Sequence, residues 1–238
     1  MDKVTWNKFV KTKERFKREV ENISAALPNL KNIQQNLVCR RSEVSYTIET
    51  PVVYNTALDC VTADDEIKLI LVADNPGRRE QAAENRRYLV GPSGKIAKKF
   101  FTDNPSLGID FTKNVIILNK TPIHTPRTVE LKELCIDLEE SQRVMVDLLL
   151  EFYKTFGCHV WIIGYSEMRK KGIFEVYTEK LKDICKTNKD FYKQLFLYRH
   201  FSMNQFTVDL KKKTSADETV AKNLKKIGKD YKERILGK

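Results

Sequence analysis

Four short apolar segments limit the possible folds of this chain more than any other feature of its sequence. The segments are IKLILVAD (67–74), NVIILNK (114–120), HVWIIGY (159–165) and QLFLYRH (194–200). Apolar runs of this length, rich in Ile, Val, Leu and aromatic residues, are typical of strands that are buried on both faces of a parallel sheet. The sequence therefore predicts four buried, parallel strands.

The segments around these runs have the periodicity of amphipathic helices. Apolar residues recur at helical spacing in residues 3–27, 129–156 and 216–236. Strands that alternate with helices predict a three-layer α/β/α fold with a central, mainly parallel, four-stranded sheet. Because no linker rich in proline or glycine divides the chain, we expect a single domain over residues 1–238.

Two other segments give weaker signals. Residues 29–66 could hold a short edge strand, although Pro51 interrupts it. The segment YLVGPSGKIAKKFF (88–101) superficially resembles a phosphate-binding P-loop. A P-loop requires a glycine where this chain has Leu89, and a Ser or Thr where it has Ile96. The sequence therefore argues against a nucleotide hydrolase of the P-loop type.

The charge of the chain is strongly and unevenly positive. Its net charge is +11 and its pI is about 9.3. Residues 211–238 contain ten Lys or Arg residues against four Asp or Glu residues. An excess of this size indicates a polyanionic partner such as nucleic acid, although a basic surface can also serve solubility alone.

The apolar segments and the cysteines bear on the compartment. No apolar run approaches the roughly 20 residues of a membrane helix, and the first residues lack the apolar core of a signal peptide. We therefore expect a cytoplasmic protein without a membrane partner.

The cysteines are odd in number and far apart, so we expect reduced, mostly buried thiols and no bound metal. They are Cys39, Cys60, Cys135, Cys158 and Cys185.

Polar side chains follow the predicted strands where each strand ends. Asp74 and Asn75 follow the first strand, Asn119 ends the second, and His200 follows the fourth. Ligands of open parallel sheets bind beyond the carboxyl ends of the strands, so we expect these groups to meet at one rim. Together they could bind a planar polar ligand such as a base. Singly, each also has a structural explanation, as a turn, a helix cap or a structural histidine.

The motifs at these strand ends resemble those of the uracil-DNA glycosylase superfamily. ADNPGRRE is similar to the family's water-positioning motif, and RYLVGPSGK to the PFVG segment that follows it in the iron–sulfur branch. VIILNKTPIHTPRT is similar to that branch's ITNVVKCRPP segment, and RHFSMNQF to its HPSP motif. The ordered set extends from residue 67 to about residue 206.

The resemblance implies roles for individual residues. Asn75 would orient the attacking water, Asp74 would help to activate it, and His200 would stabilise the departing base, which makes these three the catalytic residues. Asn119 would read the base edge by a two-point hydrogen bond. The residues expected to contact the base are Glu80, Tyr88, Leu89 and Asn119.

Further residues would contact the DNA backbone or the base stack. Met203 or Phe201 would insert into the stack, while Lys95 and Lys120 would contact phosphates. The full set of expected DNA contacts is Ser93, Lys95, Lys120, Phe201, Ser202 and Met203.

The chain departs from the iron–sulfur branch at three motif positions. Leu89 stands where that branch has a stacking Phe, with Tyr88 beside it. Phe201 replaces the proline after the motif histidine, and the cysteine after the second strand is absent. The resemblance therefore implies the fold and the chemistry without an iron–sulfur cluster, and no cofactor is expected.

The function that the resemblance implies is that of a DNA glycosylase. We expect a monomer that hydrolyses the N-glycosidic bond of uracil or another deaminated base in DNA, the first step of base excision repair. No lysine is marked as a Schiff-base nucleophile, so the enzyme would not cut the strand. Two alternatives stay open: a DNA-binding member of the same fold with little or no activity, and an α/β enzyme that acts on a free nucleotide.

Overall fold

A computed structural model describes residues 1–41, 45–214 and 217–237. Its centre is a sheet of four parallel strands in the order β2-β1-β3-β4. The strands are β1 (Leu69–Ala73), β2 (Val115–Asn119), β3 (His159–Ile163) and β4 (Leu195–Tyr198). Each predicted apolar run therefore forms one strand. Almost every strand residue is buried, because helices cover the sheet.

The described residues form eight α-helices around the sheet. They are α1 (Lys3–Ala26), α2 (Leu30–Arg41), α3 (Pro92–Asp103), α4 (Glu139–Phe156), α5 (Glu175–Thr187), α6 (Lys189–Gln194), α7 (Gln205–Lys213) and α8 (Val220–Leu236). One layer joins α1, α4 and α5, and the other joins α3, α7 and α8. The predicted three-layer α/β/α fold with a parallel four-stranded sheet is confirmed.

Aromatic packing joins the sheet to the second helical layer. The ring of Trp161 in β3 stacks on Phe101 of α3 at 5.6 Å between centroids, and on Phe206 of α7 at 6.2 Å. Aromatic pairs at these separations add about 0.5–1.5 kcal/mol each beyond the burial of their area. These contacts fix α3 and α7, whose first turns approach the carboxyl edge of the sheet.

The helix boundaries differ from the predicted ranges for local reasons. The predicted helix 3–27 ends at Ala26, just before Pro28, which cannot continue the helical hydrogen bonds. The predicted helix 129–156 is divided, because Cys135 adopts a left-handed conformation with φ +50° after a 3₁₀ turn. The tail helix begins at Val220, where the Thr219 side chain accepts a hydrogen bond from the first turn. The first predicted residue of that helix, 216, lies outside the described residues.

The segment 29–66 is mainly helix and loop. Its first part is α2, which the sequence pattern did not reveal because its Asn and Gln residues weaken the apolar periodicity. The expected edge strand is reduced to one antiparallel bridge, between Val52 and Ile123. Residues 42–44 of this segment lie outside the described residues.

The prediction that the cysteines are mostly buried is wrong. Cys39, Cys60 and Cys135 are exposed and Cys158 is half-buried, so that only Cys185 is buried. The exposed three lie near the end of α2, in a 3₁₀ turn and in a loop, outside the buried strands. All five are free thiols.

Two features are absent from the part of the chain that the structure describes. None of the helices described is both long enough and apolar enough to cross a bilayer. Within the same residues, no three His, Cys, Asp or Glu side chains are grouped as a metal site would require.

Candidate functional site

The loops after all four strands line a single cleft at the carboxyl edge of the sheet. Its volume is about 690 Å³, within the range of sites for small molecules. The lining includes residues 74–75, 125–129 and 164 from the first three loops, and His200 from the fourth. The strand order changes direction between β1 and β3, which is where open α/β sheets bind ligands. All four segments that resemble glycosylase motifs therefore contribute residues to one cleft.

Asp74 and Lys120 form a buried ion pair at the base of this cleft. The Nζ of Lys120 lies 2.5 Å from Oδ1 of Asp74 and 2.6 Å from the carbonyl oxygen of Ile163, so it links the ends of three strands. The Lys120 side chain is 0% exposed and that of Asp74 is 14% exposed. Burial lowers the pKa of Lys120, and the neighbouring carboxylate of Asp74 opposes this shift.

The ion pair corrects the predicted role of Lys120. A lysine whose side chain is fully buried against Asp74 cannot reach a DNA phosphate. The sequence places Lys120 one residue beyond β2. It does not show whether the side chain of Lys120 is buried beneath the edge of the sheet or points into solvent.

Gly164 gives the Asp74 carboxylate its space. It has φ +80°, a left-handed conformation that favours glycine, and a Cβ atom there would lie 2.5 Å from Oδ1 of Asp74. The end of β3 can therefore approach the carboxylate closely only because residue 164 has no side chain.

Asn75 is oriented by two threonines of the loop after β2. Its Nδ2 donates to Oγ1 of Thr125 at 2.9 Å, and Oγ1 of Thr128 donates to its Oδ1 at 2.9 Å. The Thr125 hydroxyl itself donates to the carbonyl of Arg127, so it must accept from Asn75. This network fixes which amide atom is the oxygen, and it leaves the second lone pair of Oδ1 available to a ligand.

A backbone contact determines the tautomer of His200. The N–H of Ser202 donates to Nδ1 of His200 at 3.0 Å, so the proton of the neutral ring is on Nε2. Burial lowers the pKa of His200; the charge of Asp74 acts against this shift and that of Lys120 adds to it. The half-buried side chain lines the cleft as a neutral donor at pH 7.

Glu80 is buried in the wall of the cleft. Its Oε2 accepts the N–H of Gly77 at 3.0 Å. Burial raises its pKa to about 7, although backbone N–H groups of Gly77, Leu89 and Val90 act in the opposite direction. The carboxyl thus joins the turn after β1 to the segment before α3.

The side-chain amide nitrogen of Asn119 is unsatisfied in the described part of the chain. Asn119 ends β2 opposite Ala73 of β1, it is buried, and its Nδ2 has no hydrogen-bond partner among the residues that the structure describes. Asn119 does not itself form part of the cleft wall, although Ala73 does. A buried donor without a partner costs about 1–3 kcal/mol. That cost is recovered only if a ligand or a water accepts from this amide.

Of the two candidates for a stacking residue, only Leu89 lies in the cleft. Leu89 has φ +53° and forms part of the wall. The expected base contact of Tyr88 is not supported, because its ring is buried away from the cleft and its hydroxyl donates to the carbonyl of Val53 at 2.5 Å. Among the described residues that line the cleft, none is Phe, Tyr or Trp.

The expected DNA contacts divide into three groups. Ser93, Ser202 and Met203 line the cleft, and Met203 is 82% exposed. Lys95 is exposed but borders a different groove, beside β2. Phe201 cannot insert into a base stack as the sequence suggested, because it is fully buried and stacks on Phe206 at 4.4 Å.

Several residues that support the site were not identified from the sequence. Thr125 and Thr128 lie inside the segment VIILNKTPIHTPRT. Their hydrogen bonds to Asn75 form because the loop after β2 lies close to the loop after β1. His124 donates from Nδ1 to the carbonyl of Pro76 at 2.8 Å, and burial lowers its pKa to about 4. All three residues belong to the segment KTPIHTPRT, but only the structure shows which groups they bond.

The comparisons with known proteins identify no family. No protein-family model matches the chain, and no curated protein sequence is significantly similar to it. The described fold and cleft therefore define the chain as a three-layer α/β/α protein with a polar cleft at the switch point of its sheet.

Proposed function

We propose that this protein is a monofunctional DNA glycosylase that removes uracil or another deaminated base. The observation that supports this most is that Asp74, Asn75 and His200 all line one cleft at the switch point of the sheet. The proposed setting is base excision repair in the cytoplasm, by a monomer that binds DNA through its basic surface.

The first step would place an extruded nucleotide in the cleft. A base in a duplex cannot be reached, so glycosylases rotate it out of the stack at a cost of a few kcal/mol. The Nδ2 of Asn119 has no hydrogen-bond partner among the described residues, and a carbonyl of a pyrimidine could accept from it if the cleft opened beside Ala73, because Asn119 is buried outside the cleft lining. The side chain of Leu89 would cover one face of the base in place of an aromatic ring.

The second step would position the water. Oδ1 of Asn75 keeps a lone pair for a water hydrogen, while Thr125 and Thr128 prevent its amide from rotating. Oδ2 of Asp74 accepts no hydrogen bond from the described residues, because Lys120 contacts Oδ1. This carboxylate can stabilise the positive charge that develops on the sugar and can accept a proton from the water.

The third step would stabilise the departing base. The Nε2–H of neutral His200 can donate to a base oxygen that gains negative charge as the bond breaks. Lys120 is buried and paired, which favours hydrolysis by water over attack by this lysine. The product would be a free base and an intact strand with an abasic site.

The test uses duplexes that each contain one uracil, hypoxanthine, xanthine or hydroxymethyluracil, followed by alkaline cleavage of abasic sites. The wild-type protein should yield cleaved product from at least one of them. Asn75→Ala and His200→Ala should each lower the rate by about a hundredfold or more and still bind DNA.

Matched controls come from the same residue types outside the cleft. Asn36→Ala changes an exposed residue of α2, and His159→Ala changes the first residue of β3, at the opposite edge of the sheet. Both should retain activity. Absence of product from all four substrates contradicts the proposed enzymatic activity.

The second candidate is a protein that binds damaged DNA without turnover. The absence of an aromatic residue among the described residues of the cleft wall favours it, because a base would stack less strongly there. This candidate predicts tighter binding to uracil-containing or abasic duplex than to undamaged duplex, with no release of base. The glycosylase predicts the same binding preference together with release of the base.

A further inference from the structure

Two exposed apolar side chains lie at the rim of the cleft. Val129 is 55% exposed and Met203 is 82% exposed, and both form part of the cleft lining. Isolated exposed apolar residues are common on proteins. Here, however, only Val4 and Val208 are also large, apolar and exposed among the described residues. Half of this small set therefore borders one cleft.

The topology places these two side chains on different sides of the cleft. Val129 belongs to the loop after β2 and Met203 to the loop after β4. In the strand order β2-β1-β3-β4 these are the two outer strands, whereas Asp74 and Gly164 follow the two inner ones. The apolar side chains thus flank the polar centre.

Val129 is fixed on a rigid turn. The preceding residue, Thr128, donates to Asn75, and the following residue, Glu130, is buried. The carboxylate of Glu130 accepts from both the backbone N–H and the Nε of Arg127. Because both neighbours are anchored, the valine is held outward with little freedom to fold back onto the protein.

Met203 is fixed in a comparable way. The preceding residue, Ser202, donates its N–H to His200, and the N–H of Asn204 donates to the carbonyl of the buried Phe201. Met203 itself has φ +50°, a left-handed backbone conformation, and its side chain is 82% exposed. Each apolar residue is therefore adjacent to a residue that bonds a proposed catalytic side chain.

The charge at the same rim identifies the occupant. Arg78 and Arg79 are exposed, line the cleft and form no ion pair with the described residues. Guanidinium groups beside exposed apolar side chains suit a partner that has anionic groups on its outside and apolar layers stacked within it. A nucleic-acid duplex has both properties, since its phosphates surround stacked bases.

We propose that Val129 and Met203 form a two-sided wedge, which enters the base stack on both sides of the extruded nucleotide. This inference rests on the proposed function and assigns Val129 a role that the sequence motifs did not indicate. Insertion of Val129 would bury its side chain between bases, and because the neighbouring Thr128 bonds Asn75, the rigid turn would hold Asn75 beside the nucleotide.

The test measures binding to a duplex that contains a tetrahydrofuran abasic site next to 2-aminopurine. Val129→Ala, which removes two methyl groups, and Met203→Ala, which removes a methylene, the sulfur and a methyl group, should each weaken binding to this duplex by about tenfold or more. Each should also reduce the 2-aminopurine fluorescence change that reports unstacking. Binding to the undamaged duplex should change by less than about twofold.

Val208→Ala and Val4→Ala are the matched controls. Both remove the same two methyl groups as Val129→Ala, but from exposed valines on α7 and α1 that do not line the cleft. They should bind the abasic duplex like the wild type, and all four variants should keep the wild-type melting temperature.

Two results would overturn the inference, and they are distinguishable from each other. If Val129→Ala binds the abasic duplex and unstacks 2-aminopurine like Val208→Ala, while Met203→Ala binds it more weakly, the wedge is one-sided and the inference is wrong. The proposed function then still stands, provided that the protein excises bases. If the wild type neither prefers the abasic duplex nor releases any base, both the wedge and the proposed function are wrong.

Discussion

The floor and the walls of the cleft are built by different kinds of interaction. The floor consists of Asp74, Lys120 and Gly164, where a buried ion pair joins three strand ends. The walls carry Asn75 and His200, which are oriented by neutral hydrogen bonds from neighbouring loops. Removing one member of a buried charge pair is costly, whereas one neutral hydrogen bond contributes little net stability. The floor should therefore control both folding and function, and the walls mainly function.

The largest effect is expected from Lys120→Met. It leaves the Asp74 carboxylate without its counter-ion, and loss of one partner of a buried pair costs about 3–5 kcal/mol in the free energy of unfolding. Urea denaturation measures this loss. The double variant Asp74→Asn/Lys120→Met should be more stable than the sum of the single effects predicts. Strict additivity would mean that the two side chains do not interact.

Glu80 should make the stability depend on pH. Its pKa is about 4.5 unfolded and about 7 folded, so the folded state binds the proton more tightly between these values. The free energy of unfolding contributed by Glu80 therefore falls as pH rises through this window, by about 3 kcal/mol in total.

Glu80→Gln removes this dependence. Relative to the wild type, the variant should gain stability between pH 5 and pH 8, as measured by urea denaturation at both values. Glu84→Gln changes an exposed residue of the same loop and should show no such gain. An equal pH dependence in the wild type and the Glu80 variant would contradict the assignment.

Gly164→Ala tests the space beside the Asp74 carboxylate. The new Cβ would meet the carboxylate at 2.5 Å in a backbone conformation with φ +80°. We expect a loss of about 1–3 kcal/mol in stability together with loss of activity. Gly108→Ala has φ +64° but open space around its Cβ, so it measures the backbone cost alone. Equal losses in the two variants would show that the contact with Asp74 does not matter.

The smallest effect on stability should come from a wall residue. Thr128→Val removes the hydrogen bond to Oδ1 of Asn75 and should cost about 0.5–1.5 kcal/mol in stability. Base release should nevertheless slow by about tenfold or more, because Asn75 loses its fixed orientation. Thr102→Val, on the exposed face of α3, should leave the rate unchanged. A normal rate in Thr128→Val would contradict the role of this contact.

The sequence predicted the four strands better than it predicted the positions of individual side chains. Continuous apolar runs identify buried strands, and the carboxyl ends of parallel strands must share one edge, so Asp74 and His200 could be assigned to the same cleft. Whether a side chain near a strand end faces that cleft depends on the backbone beyond it. Lys120, Tyr88 and Phe201 all face the interior, and periodicity contains no information about that choice.

The most direct test of the account is the release of free base under single-turnover conditions. Excess protein is mixed with a uracil-containing duplex, and the base is measured by chromatography. The account predicts free uracil, or another base from the substrate panel, from the wild type, with release lost in Asn75→Ala and His200→Ala variants that still bind the duplex. No free base from any substrate, or undiminished release by the two variants, would contradict it.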